Sequence, residues 1–192
     1  MRMATKTRRW TRSDLETLPD DGNRYEVLDG SLFVTPQAAF FHQYIATRLT
    51  LALATYCDRH GLGAAVGPGA VVFDENELQP DVIVVPRLPA HRKEKWESLP
   101  RPRLVAEVLS DSTERRDHNV KREAYLRLGI PEYWIVDPDE RRVLVWTPGS
   151  TEPTVVTDQL RWQPRADLPA LEIPLESIIP PPPAEPPATP AS

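Results

Sequence analysis

Two acidic residues lie in apolar segments, where a charged side chain is costly unless it is paired, protonated or bound to a metal. Asp81 directly precedes the apolar run of residues 82–85, and Glu107 interrupts the apolar run of residues 104–109. Runs of this length and composition predict β-strands that are covered on both faces. Neighbouring strands lie about 4.8 Å apart, so two such carboxylates can share one cation. Lys121 follows on a predicted helix, from which its ammonium group can reach the same place.

These side chains suit the hydrolysis of a phosphodiester. Mg²⁺ binds few protein oxygens, keeps several waters and binds substrate phosphate, so two carboxylates suffice. We expect Asp81 and Glu107 to bind Mg²⁺ (or Mn²⁺), with the backbone carbonyl of Val108 as a third oxygen. The ion would polarise a phosphoryl oxygen and lower the pKa of its bound water. Lys121 would orient or help deprotonate that water, or neutralise the transition state.

Each of these residues also has a structural interpretation. Asp81 at the start of its strand can bond only to nearby backbone. Glu107 can form an ion pair with an arginine of a neighbouring strand, and Lys121 can be an exposed helix residue paired with Asp117. The candidate arginines are Arg103 and Arg142. The ordered combination of two acids and a lysine is a stronger signal than any single member.

The composition limits the class of protein. The chain has 192 residues, of which 40% are hydrophobic and 27% charged, as in an ordinary soluble domain. No apolar run approaches the roughly 20 residues that span a bilayer, and the basic start lacks an apolar segment behind it, so we expect neither a membrane partner nor a secretory signal. The single cysteine, Cys57, cannot form an internal disulfide, which favours a cytoplasmic location.

The formal net charge of −5 argues mildly against a protein that coats nucleic acid, which would usually be basic. Basic residues nevertheless concentrate at residues 6–12, 87–95 and 115–127. These clusters are either surfaces that attract a polyanion or simply solvated faces.

Hydrophobic periodicity and turn residues predict the elements that position the candidate residues. A helix is expected over residues 39–60, with a buried stripe of Phe41, Ile45, Leu49, Leu53 and Tyr56. A second helix is expected over residues 117–128, with a buried stripe of Val120, Ala124 and Leu128. A short helix is expected from Ser13 to Pro19. Strands are predicted at residues 24–29, 31–35, 71–73, 82–85, 104–109, 133–137 and 142–146, with a weaker one near 154–157.

This order of elements predicts an α/β domain with a central mixed β-sheet flanked by helices. We expect a single domain over residues 1–179. Residues 180–192 form a proline-rich tail that cannot build a core, so we expect it to be disordered or polyproline-like. Such a tail can also serve as a ligand for a proline-binding domain.

Several segments resemble one known family. Residues 79–85, 104–110 and 129–138, together with Asp117 and Lys121, resemble the Uma-two family of restriction endonucleases, within the PD-(D/E)XK nuclease superfamily. Residues 25–30 and His42 are also similar to that family. The resemblance covers roughly residues 10–175, nearly all of the globular part.

The resemblance implies a restriction-endonuclease-like fold and cleavage of DNA with a magnesium ion. The superfamily motif would place a lysine at the position of Leu109, but the family carries its lysine on the following helix, which points to Lys121. Glu26 resembles an additional N-terminal acid of the superfamily, with a solvent-facing hairpin residue as the alternative. Weaker candidates are His42, Ser110 and Tyr125.

The leading hypothesis is therefore a Mg²⁺-dependent DNA endonuclease, expected as a homodimer because cutting both strands usually requires two copies. A catalytically weak nucleic-acid-binding module of the same fold is the first alternative, suggested by Leu109 and the acidic net charge. An interaction protein that uses its proline-rich tail is the second. Only the first needs a divalent ion at Asp81 and Glu107.

Overall fold

The structure is a computed structural model that describes residues 8–110 and 115–181, without the side chains of residues 115–118. Within these residues the helices are α1 (Arg12–Leu15), α2 (Phe40–His60), α3 (Arg115–Arg127) and α4 (Leu175–Ile178), with a 3-10 turn at Trp96–Ser98. The strands are β1 (Arg24–Leu28), β2 (Ser31–Thr35), β3 (Ala64–Val66), β4 (Val71–Phe73), β5 (Asn76–Leu78), β6 (Val82–Val85), β7 (Leu104–Val108), β8 (Glu132–Asp137), β9 (Arg142–Trp146), β10 (Thr154–Val156), β11 (Gln159–Trp162) and β12 (Leu171–Pro174).

A six-stranded sheet forms the centre of the fold, in the order β10-β9-β8-β7-β6-β3. Strands β7 and β8 are parallel, joined through α3, and the other pairs are antiparallel. This confirms the predicted α/β fold with a central mixed sheet. A second sheet has the order β2-β1-β5-β4, and β11 pairs with β12 in a separate hairpin.

Strand β7 shows how the sheet separates two apolar layers. Leu104, Ala106 and Val108 point into the layer that contains α2, whereas Val105 points into the layer that contains α3 and the second sheet. Successive side chains of a strand alternate between faces, so Glu107 follows Val105 into the second layer. The candidate acid therefore faces α3 and strand β1.

Helix α2 covers the first layer through Ile45, Leu49 and Leu53, each fully buried, as its periodicity predicts. The prediction that Phe41 belongs to this buried stripe is wrong, because its side chain is 45% exposed. At 100° per residue, His42 rather than Phe41 lies at the centre of the buried face, and His42 is the residue that turns inward. The helix ends at Gly61, which adopts the left-handed conformation with φ 62°.

Helix α3 is rotated relative to the predicted stripe. Val120 is 40% exposed, whereas Lys121 is only 4% exposed, so the prediction of a buried Val120 is wrong. Ala124 is buried and Leu128 is partly buried, as expected. The buried face of α3 therefore includes Lys121, which lies about 100° around the helix from Val120.

The C-terminal part of the described chain is more ordered than its weak sequence pattern predicts. Strands β11 and β12 and helix α4 contribute Trp162, Ile173, Leu175 and Ile178 to the layer beneath α2. Most of the predicted tail, residues 182–192, lies outside the described residues. None of the described helices has the length and apolar character needed to cross a bilayer.

Candidate active site

Asp81 and Glu107 lie side by side on neighbouring strands of the central sheet. Val82 pairs with Ala106 in the antiparallel register of β6 and β7, so Asp81 stands opposite Glu107. Residues opposite each other have Cβ atoms about 4.5–5.5 Å apart on the same face. The Asp81 and Glu107 side chains are 5% and 1% exposed. The backbone N–H of Val108 donates to Asp81 Oδ2 at 2.9 Å.

Glu26 and Lys121 join this pair from two other elements. Lys121 on α3 donates from Nζ to Glu26 Oε2 at 2.8 Å and to Glu107 Oε1 at 3.2 Å. Glu26 on β1 is fully buried, and its Oε1 accepts the backbone N–H of Gln79 at 2.7 Å. The solvent-facing interpretations of Glu26 and Lys121 are therefore wrong, and the structure brings the sequence-predicted side chains into one cluster.

Two further residues hold Asp81, which excludes its interpretation as a purely local cap. Arg24 on β1 donates from Nη1 to Asp81 Oδ1 at 2.7 Å, and His42 Nε2 lies 3.1 Å from Asp81 Oδ2. Sequence reasoning missed Arg24, although it precedes Glu26 by two residues and hence shares its face of the strand. The weaker candidate Tyr125 donates to Glu107 Oε1 at 3.3 Å.

The cluster has more negative than positive charge. Three carboxylates face two permanent cations, Arg24 and Lys121. Complete burial raises the pKa of Glu107 to about 7, with Asp81 and Glu26 adding to the rise and Lys121 opposing it. Either a proton on Glu107 or an additional cation relieves this excess of negative charge.

The environment of Asp81 and Lys121 keeps both groups ionised. Burial acts to raise the pKa of Asp81, but hydrogen bonds from His42 and Val108 and the charge of Arg24 outweigh it and lower that pKa to about 2. Burial likewise acts to lower the pKa of Lys121, but Glu107 and Glu26 outweigh it and raise that pKa. Lys121 is therefore an ammonium group, which donates hydrogen bonds and does not accept protons.

The donor chemistry of the site fits a hard divalent cation. Asp81 and Glu107 present carboxylate oxygens from facing positions on neighbouring strands. No cluster of three or more His, Cys, Asp or Glu side chains within the described residues is arranged to hold a metal ion. Two carboxylates are enough for Mg²⁺, which takes its remaining ligands from water and phosphate.

A cleft of about 490 Å³ opens beside Asp81. Its walls come from α2, from the start of β1 and from the segment after β2, and Asp81, Arg24 and His42 of the buried charged cluster line it. Gln43, Thr47 and Thr50 supply polar groups along the α2 wall. Ser110 also lines this cleft.

Comparison with known proteins identifies the family of this chain. Residues 12–176 match the family described as "Uma2: Putative restriction endonuclease". The chain belongs to this family. Membership in the Uma2 family supports a nuclease-like function. No curated protein matches the chain.

A solved structure extends the comparison to the fold. A crystal structure described as "a putative nuclease belonging to DUF820", from Anabaena variabilis, is 19% identical to the Uma2-family chain. It superimposes with a TM-score of 0.74, covering 88% of this chain and 97% of that chain. At this identity the likeness shows a shared fold.

The ion pair considered between Glu107 and Arg142 is not formed in this Uma2-family chain. Arg142 pairs with Asp137 at 3.2 Å, and the cation that contacts Glu107 is Lys121. Asp117, which was considered as a partner of Lys121, lies in α3, but its side chain is outside the described part of the structure.

Proposed function

We propose that this Uma2-family protein is a Mg²⁺-dependent (or Mn²⁺-dependent) endonuclease that hydrolyses DNA phosphodiester bonds. The observation that supports the proposal is the buried cluster in which Lys121 contacts Glu107 while Asp81 stands beside that glutamate. Burying such a cluster costs folding free energy, because each charge loses its hydration. A functional role would explain why the protein keeps it.

Asp81 and Glu107 would hold the ion, with the backbone carbonyl of Val108 as a third protein oxygen. The ion would polarise a phosphoryl oxygen and make its bound water a better nucleophile at neutral pH. The excess negative charge of the cluster supports this assignment, since a divalent cation reverses the sign and leaves the site attractive to a phosphodiester.

Lys121 acts through hydrogen bonds in this proposal. Because its pKa is raised, we assign it to orienting the attacking water and to stabilising the charge on the phosphoryl oxygens, and not to deprotonation. Glu26 holds the ammonium in place from the opposite side at 2.8 Å. Glu26 is thus a positioning residue for Lys121, and Tyr125 does the same for Glu107.

One observation favours the alternative of a nucleic-acid-binding module that cuts poorly. Both oxygens of Asp81 already accept hydrogen bonds, from Arg24, His42 and Val108. A cation must displace at least one of these donors before it can bind Asp81. The interaction-protein alternative depends on the tail, whose residues 182–192 lie outside the described structure.

Cleavage of supercoiled plasmid by the pure protein tests the proposal. We expect nicking and linearisation with Mg²⁺ or Mn²⁺ and none with EDTA. Asp81→Asn and Glu107→Gln should each lower the rate by at least about 100-fold while the fold survives. Glu132→Gln is the matched control, because Glu132 is a partly buried acid at the opposite end of the β7–β8 pair that accepts from Trp134. Full activity in Asp81→Asn or Glu107→Gln would contradict the proposal.

The same preparation tests the expected homodimer. Light scattering coupled to size-exclusion chromatography gives the mass of the free protein and of its complex with DNA. A linear product that accumulates without a nicked intermediate requires two active sites that act together.

A further inference from the structure

The guanidinium of Arg24 occupies a carboxylate oxygen that the proposed function needs for a metal ion. Its Nη1 lies 2.7 Å from Asp81 Oδ1, and the arginine side chain is 19% exposed. Strand β1 supplies Arg24 from the second sheet, so the contact bridges two sheets. Arg24 therefore competes directly with any cation that binds Asp81.

Arg24 leaves most of its donors unused among the described residues. A guanidinium carries five N–H groups, and Asp81 is the one described residue that accepts from it. Its Nε is buried without an acceptor, 3.9 Å from Glu26 Oε2. The side chain also lines the cleft of about 490 Å³ beside Asp81. A planar fork of unused donors at the wall of a cleft is suited to bind the oxygens of a phosphate.

We propose that Arg24 exchanges partners during the reaction cycle, binding Asp81 in the free protein and a DNA phosphate in the cleft once Asp81 holds a cation. This inference rests on the proposed function. Arg24 is then a substrate-positioning residue, and it couples the binding of metal to the binding of DNA.

Electrostatics gives the direction of the exchange. In the free protein Arg24 offsets the charge of Asp81, whose other neighbours include Glu26 and Glu107. A divalent ion bound to Asp81 offsets the charge of that carboxylate in place of Arg24 and repels the guanidinium. A phosphate in the adjoining cleft is the acceptor then available, and it can take two parallel N–H donors from Arg24.

Metal binding without DNA is the first test. Isothermal titration of Mn²⁺ into the full-length protein should show tighter binding for Arg24→Gln, by on the order of tenfold, because a charge-assisted competitor is lost. Arg24→Lys should lie between wild type and Arg24→Gln. Arg87→Gln is the matched control, since Arg87 pairs with Glu94 beyond the opposite end of β6, and its Mn²⁺ affinity should equal that of wild type.

DNA binding is the second test. Fluorescence anisotropy of a short duplex, with Ca²⁺ in place of the catalytic ion, should show that the cation raises the affinity of the wild type. We expect this rise to shrink by on the order of tenfold in Arg24→Gln, while the affinity in EDTA stays nearly the same. If Arg24 had only a structural role, Arg24→Gln would weaken DNA binding equally with Ca²⁺ and with EDTA. Thermal unfolding of each variant shows that the fold is intact.

The outcomes separate the two proposals. Arg24→Gln with unchanged or weaker Mn²⁺ binding, in a protein whose wild type binds Mn²⁺ and cuts DNA, overturns the exchange of partners and leaves the proposed function standing. The exchange of partners is also overturned if the cation raises the DNA affinity of Arg24→Gln by the same factor as that of the wild type. A wild type that binds no Mn²⁺ overturns both.

Discussion

A lysine ammonium is tolerated in the interior of this protein because two carboxylates accept hydrogen bonds from it. Lys121 is 4% exposed and contacts Glu26 and Glu107, which come from different sheets. Removing one partner of a buried ion pair typically costs about 3–5 kcal/mol, because the remaining charge stays buried and unpaired. Replacing Lys121 therefore changes stability as well as its proposed role in cleavage, and experiments on it must measure both.

We expect Lys121→Ala to lose most cleavage but to keep metal binding, since the ammonium acts on water or phosphate and competes with the cation. Lys121→Arg should restore little, because a planar guanidinium does not fit between two fixed carboxylates and cannot give the same point contacts. Mn²⁺ titration and plasmid nicking on both variants measure this.

The control for these variants is the next residue of the helix. Arg122 stacks on Trp146, with its guanidinium carbon 4.3 Å from the ring centroid, and makes no contact with the carboxylate cluster. Arg122→Ala should cut at nearly the wild-type rate. Wild-type cleavage by Lys121→Ala would mean that another group activates the water.

Individual site residues differ in how far the sequence predicts them. Asp81 and Glu107 could be found because an acid within an apolar strand is unusual on physical grounds. Lys121 became a candidate because a helix that follows these strands can bring its ammonium group to the two acids, whereas Glu26 became a candidate through family resemblance. Arg24 could not be found, because an arginine in a half-exposed hairpin is ordinary and its partner lies 57 residues away.

At the scale of elements, periodicity predicts long segments more reliably than short ones. Strands β6 and β7 and helix α2 were predicted within a few residues of their observed bounds. Strands β3 and β5 span three residues each and were missed, because three residues are too few for an alternating pattern to be recognised. Strand β4 is equally short but was predicted, because Val71, Val72 and Phe73 are all typical strand residues. The orientation of α3 was also missed. Hydrophobic periodicity assigns Val120 to the buried face, but Lys121 is buried instead because it forms ion pairs there.

The superfamily motif would place a lysine at the position of Leu109, directly after strand β7, whereas this chain has its lysine on α3. Whether a lysine at position 109 can act in place of Lys121 can be tested. The N–H of Leu109 continues the β7–β8 ladder by donating to Val136 O at 2.8 Å, so its side chain shares the face of Glu107 by alternation. We expect Leu109→Lys to restore part of the cleavage that Lys121→Ala loses, by about tenfold or more. Plasmid nicking by the double variant measures the effect.

Leu109→Met in the Lys121→Ala background is the matched control, since it changes the side chain without adding an amine. If both double variants cut equally poorly, the ammonium has to approach from the helix side, and its direction matters as much as its charge.

At the scale of the whole molecule, the described C-terminal segment up to Pro181 contributes to the core. Leu175, Ile178 and Ile179 are buried, and Arg141 donates to the carbonyl oxygens of Ile179 and Pro180. We expect a chain that ends after Pro181 to unfold like the full-length protein and to cut equally well. A chain that ends after Pro174 should lose on the order of 5 kcal/mol or more. Urea unfolding curves measure both.

A lower stability of the chain that ends after Pro181 would mean that residues 182–192 contact the domain. Equal stability combined with the loss of a binding partner in a pull-down would instead support the interaction role considered for the tail.

The carboxylate–lysine cluster is assembled from residues far apart in the chain, and this has a consequence for when the protein becomes active. The contact between Glu26 and Lys121 spans 95 residues, and that between Arg24 and Asp81 spans 57. Contacts of such long range form only after most of the chain entropy has been lost. A nascent chain that has emerged as far as strand β7 carries all three acids but lacks the ammonium. Under the proposed function, a nascent chain that ends before α3 cannot cleave DNA, because it lacks the ammonium group of Lys121.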